Sequence, residues 1–154
     1  MSLLITKAKP NPAGKDRVGR TLTPQTQLAA EWVDIKNTTS SPVNMNGVEL
    51  YHYAYLGSGA GEWQLVTEFN GTLPSGQTVR VHSGNQILLT QMNLEDQNGA
   101  EYHVFSHKNY VWNNANQDFP GLWYKPSKQW IDKTEYDTFP VEGKILTRVN
   151  QKLI

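Results

Sequence analysis

A chain of 154 residues can bury one core of its own, which argues for a single domain and against a second lobe. Its 14 basic and 14 acidic residues cancel, which removes the diffuse phosphate attraction behind most non-specific nucleic-acid affinity, so no nucleic acid is expected as a partner. No cysteine is present, and this excludes disulfides, thiolate metal sites and a cysteine nucleophile.

The opening residues Met1 to Lys7 contain an apolar run far shorter than a signal-peptide core, and no later stretch approaches a membrane span. No membrane insertion is expected, and a cytoplasmic location follows if the chain is complete. Thr26 to Ala30 offers one helical turn at most. Glu31 to Asn37 then alternates, with Val33 and Ile35 on one side and Trp32, Asp34 and Lys36 on the other, which is the pattern of a half-buried strand. Turn formers from Asn37 onward close on Asn46-Gly47, where glycine supplies positive φ at low cost. Val48 to Tyr55 restarts a strand that puts Tyr51, Tyr53 and Tyr55 on one face, until Gly57-Ser58-Gly59-Ala60-Gly61 breaks it at a hairpin tip.

Trp63 to Phe69 returns as the partner strand. Leu73-Pro74-Ser75-Gly76 is a turn, proline presetting φ and Gly76 taking the left-handed geometry, and Thr78 to His82 alternates again. Gln86 to Gln91 is short and apolar, Asp96 to Gly99 is a further turn, and Glu101–Phe105 and Tyr110–Trp112 have the composition of strands. Helical periodicity is weak throughout. Short strands with turns roughly every ten residues predict an all-β antiparallel sandwich rather than a parallel sheet, whose crossovers need long segments.

The order of these motifs resembles the lamin-tail domain family, an immunoglobulin-like sandwich of nuclear lamins and of many bacterial proteins, here in its bacterial stand-alone type. Ile5 with Asn11-Pro12-Ala13-Gly14-Lys15-Asp16 is similar to the family's Asn-Pro-x-Gly-x-Asp opening. Glu31-Trp32-Val33-Asp34-Ile35-Lys36-Asn37 is similar to its Glu-Tyr-Val-Glu-Ile-x-Asn strand, and Pro42 to Gly47 to the apolar-then-glycine segment that follows. Leu73 to Gly76 with Val79 and Val81 resembles the Leu-x-Pro-Gly turn and strand. Val111-Trp112-Asn113-Asn114 resembles the Val-Trp-Asn-Asn strand end, followed by Leu122-Trp123-Tyr124, Ile131-Asp132 and Tyr136.

The chain departs from the pattern at Val48, where relatives often carry Trp, at Ala115 to Asp118 in place of Gly-Asp, and at Pro126-Ser127-Lys128 in place of a glycine turn. Asp118 is the nearest equivalent of the family aspartate. The resemblance implies an immunoglobulin-like β-sandwich with Greek-key connections, one domain over 1–154, with a family-like core over about 4–137 and an extension over 138–154 that adds a strand. It further implies a non-catalytic binding or scaffolding module for protein–protein interaction or self-association, and by analogy an accessory domain of a hydrolase.

The residues themselves offer few alternatives. His52, His82, His103 and His107 invite a metal reading, with His103 and His107 on one face if their strand runs on, but the spacing supplies no third and fourth ligand, and no metal or cofactor is expected. The Asn113, Asn114, Asn116 and Asp118 loop holds one carboxylate among amides, poor charge for calcium, and reads better as turn capping. Gly57-Ser58-Gly59 lacks the strand-to-helix setting of a nucleophile elbow, and neither Glu31 with Asp34 nor Asp132 with Asp137 faces a partner, so no catalytic residue is expected.

Aromatic residues exceed what one core face holds. Trp32, Tyr51, Tyr53, Tyr55, Trp123, Tyr124 and Trp130, with Trp63 beside them, form the expected interaction surface. Its partner is a protein, a second copy of the chain, or a glycan stacked on exposed Trp and Tyr. Cross-strand packing that merely stabilises the sheet is the competing account.

Overall fold

The computed structural model describes residues 3–14, 24–55 and 60–154. Strand β1 (Leu3–Lys9) and the short helix α1 (Gln25–Ala29) lead into β2 (Trp32–Asn37), β3 (Val43–Asn44) and β4 (Val48–Tyr55). Next come β5 (Gly61–Glu68), β6 (Thr72–Leu73) and β7 (Thr78–His82), then a turn of 3-10 helix at Leu89–Gln91, α2 (Leu94–Gln97) and β8 (Tyr102–Phe105). The hairpin β9 (Gly121–Tyr124) and β10 (Gln129–Lys133) precedes a last hairpin, β11 (Leu146–Val149) and β12 (Lys152–Leu153).

Two sheets face each other. One runs β12-β11-β1-β2-β7-β8, the other β10-β9-β4-β5, and β3 pairs with β6 at the side. After β2 the chain crosses to the second sheet and returns as β7 beside β2, the Greek-key connection of an immunoglobulin-like sandwich. Leu3, Ile5, Val33, Ile35, Val79 and Val81 from the first sheet meet Val48, Leu50, Val66 and Leu122 from the second, with Met45, Leu73, Trp112 and Tyr136 closing the ends. The alternation in β2 places Val33 and Ile35 in this core, as their spacing predicts.

Three local expectations are corrected. Tyr110 to Trp112 forms no strand: Val111 and Trp112 are buried, and the Val111 amide donates 2.8 Å to the Glu31 carboxylate instead of to a ladder. Apolar composition there reflects burial without pairing. The sandwich also contains one parallel pair, β7 with β8, joined by the crossover over residues 83–101 that carries α2. Asp96 and Gln97, where the sequence suggests a turn, instead end α2, and the chain turns only at Asn98 and Gly99, the latter at φ 95°.

The crossover is fastened to the outer face of the first sheet by buried charge. Arg80 forks Asp34 at 2.7 and 2.8 Å, donates to the carbonyls of Glu95, Asp96 and Asn98, and stacks on Trp32 with its guanidinium carbon 3.5 Å from the ring centroid. Asp96 in turn accepts 2.8 Å bonds from the Trp32 indole and from Lys9. Burial raises the Asp34 carboxyl above its ordinary value even against the pull of Arg80, so the pair holds because both members are present. At the sandwich end Glu31 is fully buried. Desolvation pushes its pKa up to about 8, against hydrogen bonds from Ser83 and the Val111 and Trp112 amides that pull it down, so it is a protonated acid in the fold at neutral pH.

Arg80→Met should therefore cost about 3–5 kcal/mol in urea unfolding, because Asp34 is left buried and unpaired, and Arg80→Met with Asp34→Leu should recover part of that loss. Glu31 keeps a proton in the fold that it releases on unfolding between about pH 4.5 and 8, so its contribution to stability is present at the acid end and fades as pH rises. Glu31→Gln should gain on wild type in melting temperature across that window. A difference that stays flat with pH would show Glu31 ionised in the folded state.

Candidate interaction surface

Strands β4 and β9 are adjacent and antiparallel, with Val48 opposite Tyr124, Glu49 opposite Trp123, Leu50 opposite Leu122 and Tyr51 opposite Gly121. Because successive side chains in a strand point to opposite faces, Val48, Leu50 and Leu122 fill the core while Glu49, Tyr51, Tyr53 and Tyr55 stand on the outer face with Trp123. Strand β5 adds Trp63, opposite Tyr53, and β10 adds Trp130, opposite Trp123.

The rings form one connected array. Tyr53 meets Tyr55, Trp63 and Phe119 edge-on at centroid distances of 5.3, 5.4 and 5.8 Å. Trp130 lies 4.6 Å from Trp63, 5.0 Å from Trp123 and 6.1 Å from Tyr51. Such tilted and edge-to-face contacts suit the ring quadrupole and tie four strands together on their outer side. Two glycines make the room: a side chain at Gly61 would fall 2.1 Å from the Tyr53 ring, and one at Gly121 would fall 2.7 Å from Trp130. The rings are half-buried, and Trp63 keeps 37% of its surface exposed.

Two of the expected surface residues belong elsewhere. Trp32 does point away from the sandwich core, but the crossover covers it completely, between Arg80 and Asp96. Tyr124 packs against the core, because it neighbours Trp123 in an extended strand and must face the other way. Phe119 joins the array from a loop, and no strand period marks it in the sequence.

The remaining polar residues have structural partners. His103 and His107 do not share a face, since β8 ends at Phe105 and His107 turns at φ 59°. His82 lies against His103 with nitrogens 2.7 Å apart, and burial lowers its pKa to about 3, so it is neutral. Asp118 accepts from the amides of Tyr53, Asn113 and Phe119 and lies 3.2 Å from His52, which locks the Asn113 to Asp118 loop. Asp132 pairs with Arg148 and Asp137 with Lys152, while Glu31 and Asp34 are sealed inside separate networks. Among the described residues no three His, Asp or Glu side chains converge as a metal site requires. Gly57-Ser58-Gly59, together with Lys15 and Asp16 of the opening motif, lies outside the described residues.

Gly121→Ala should displace the Trp130 ring and cost about 1–3 kcal/mol, read as a lower urea midpoint together with a changed near-ultraviolet circular dichroism.

No curated protein matches the chain. The model of the Lamin Tail Domain family matches residues 1–138, so that residues 139–154, with the β11–β12 hairpin paired along β1, fall beyond it. With that match and an immunoglobulin-like, strand-rich sandwich, the chain belongs to the lamin tail domain family.

Proposed function

We propose that this domain is a protein-interaction module that docks through the outer face of its four-stranded sheet. Family membership makes it a non-catalytic immunoglobulin-like module at the level of class. The observation that carries the finer reading is the ring array of Tyr51, Tyr53, Tyr55, Trp63, Trp123 and Trp130 on a face where α2 and the crossover do not reach. Aromatic side chains on a rigid sheet bury large areas at little cost in side-chain entropy, which is why they dominate protein interfaces. A pocket for a small molecule is less well supported: the apolar cleft between Met45, Phe69, Leu73, Val79, Tyr102 and Val104 holds about 160 Å³ and the one beside Trp63 and Phe119 about 260 Å³, both below the usual range for such sites.

Stacking of a glycan on Trp123 and Trp130 is the second reading, since the same rings would serve it. The two separate by photo-crosslinking. With benzoyl-phenylalanine in place of Trp63, irradiation in cells should give a discrete protein adduct, either a second copy or another chain, that is missing when the probe replaces the exposed Leu88. Equal adducts from both positions would overturn the docking face. No adduct, with glycan-array binding that Trp123→Ala or Trp130→Ala abolishes, would favour the sugar.

A further inference from the structure

Resting on that docking face, we infer that its occupant presents an arginine or lysine, whose charged head sits between Glu49 and Glu68 and whose stem lies along Tyr51 and Trp123. Glu49 and Glu68 are directly opposite on β4 and β5, so their side chains share the outer face. Glu49 is only 5% exposed, held in register between Trp123 on β9 and Glu68 on β5, and it accepts from the Tyr51 hydroxyl at 3.4 Å. Among the described residues no cation lies within ion-pair distance of either carboxylate. Lys133 lies over the Trp130 ring, Lys108 donates to the Leu65 carbonyl, and the exposed Lys125, whose amide bonds the Gly47 carbonyl beside β4, forms no ion pair with either carboxylate.

Like charges directly opposite in a sheet destabilise it, and a nearly buried carboxylate without a cation adds to that cost. The Tyr51 hydroxyl, whose pKa is raised by burial and then by both carboxylates, places all three groups in one electrostatic neighbourhood. A cation from outside would relieve the repulsion. Two carboxylates among rings offer a hard metal ion too few oxygens, whereas ring faces and a carboxylate fork suit an organic cation with an apolar stem, guanidinium above ammonium. The charge of the face thus selects a basic segment.

The test uses the tripeptide Ac-Leu-Arg-Leu-NH2, its neutral analogue with citrulline in place of arginine, and cellohexaose, each titrated into the protein while the Trp123 and Trp130 indole N–H signals are followed by NMR. The arginine peptide should bind at least about tenfold more tightly than the citrulline peptide, and Glu49→Gln and Glu68→Gln should each bring it down toward the citrulline level. Glu49→Gln keeps shape and removes a repulsion, so its melting temperature should hold or rise; Glu68→Gln, at an exposed position, repeats the test should the first variant fold poorly. Equal binding of the two peptides, or arginine binding that survives both variants, overturns the inference. So does a response to cellohexaose alone. A crosslink at position 63 with no preference for arginine would leave the docking face standing and remove its basic occupant, whereas absence of both removes the two together.

Discussion

The Arg80 guanidinium carries more of this structure than any other group. It is stacked on Trp32, forked onto Asp34 and aimed at three carbonyls of the crossover, and so holds residues 95–98 flat against the outer face of the six-stranded sheet. That clamp allows β8 to pair parallel with β7, because a parallel partner requires a long return and the return must be held somewhere. It also hides Trp32, which would otherwise be an exposed aromatic. Lys9 and the Trp32 indole complete the arrangement through Asp96, so that every buried charge here has an opposite within hydrogen-bond reach.

The four-stranded sheet solves the same problem without a cover. Its outer rings satisfy one another through edge contacts, and glycines at 61 and 121 let Tyr53 and Trp130 lie close to the backbone. Cross-strand stabilisation and interaction are therefore compatible on this face, since the contacts that order the rings also present them rigidly. One polar pair interrupts the array. Glu49 and Glu68 place net negative charge at its edge, where a purely structural ladder would gain from opposite charges.

Buried titratable groups set the ends of the sandwich. Glu31 is a protonated acid that receives the Val111 amide, Asp118 accepts from three backbone amides, and His82 is neutral against Ala29 and His103. Each fastens a loop to a strand. The perturbed ionisation of Glu31 and His82 follows from burial and serves the fold, and all three side chains are sealed from solvent.

Alternation and turn chemistry alone determine most of this fold: Val33 and Ile35 inward, Tyr51, Tyr53 and Tyr55 on one face, and reversals at Gly47 and Gly76, both with positive φ. Those features are local, a matter of two-residue periods and of which residues tolerate a left-handed backbone, so they can be read from the chain. What covers a face is not local. Trp32 and Trp123 both stand on the outward side of a strand, yet one is sealed by a crossover more than sixty residues later in the chain and the other meets Trp130 on a half-open surface. Tyr110 to Trp112 has the composition of a strand, but a distant carboxylate takes its amide. Phe119 enters the ring array from a loop, and the pairing of Glu49 with Glu68 depends on the register across a bulged hairpin. Long-range pairing and packing decide those positions, because a side chain's burial depends on what the rest of the chain lays over it.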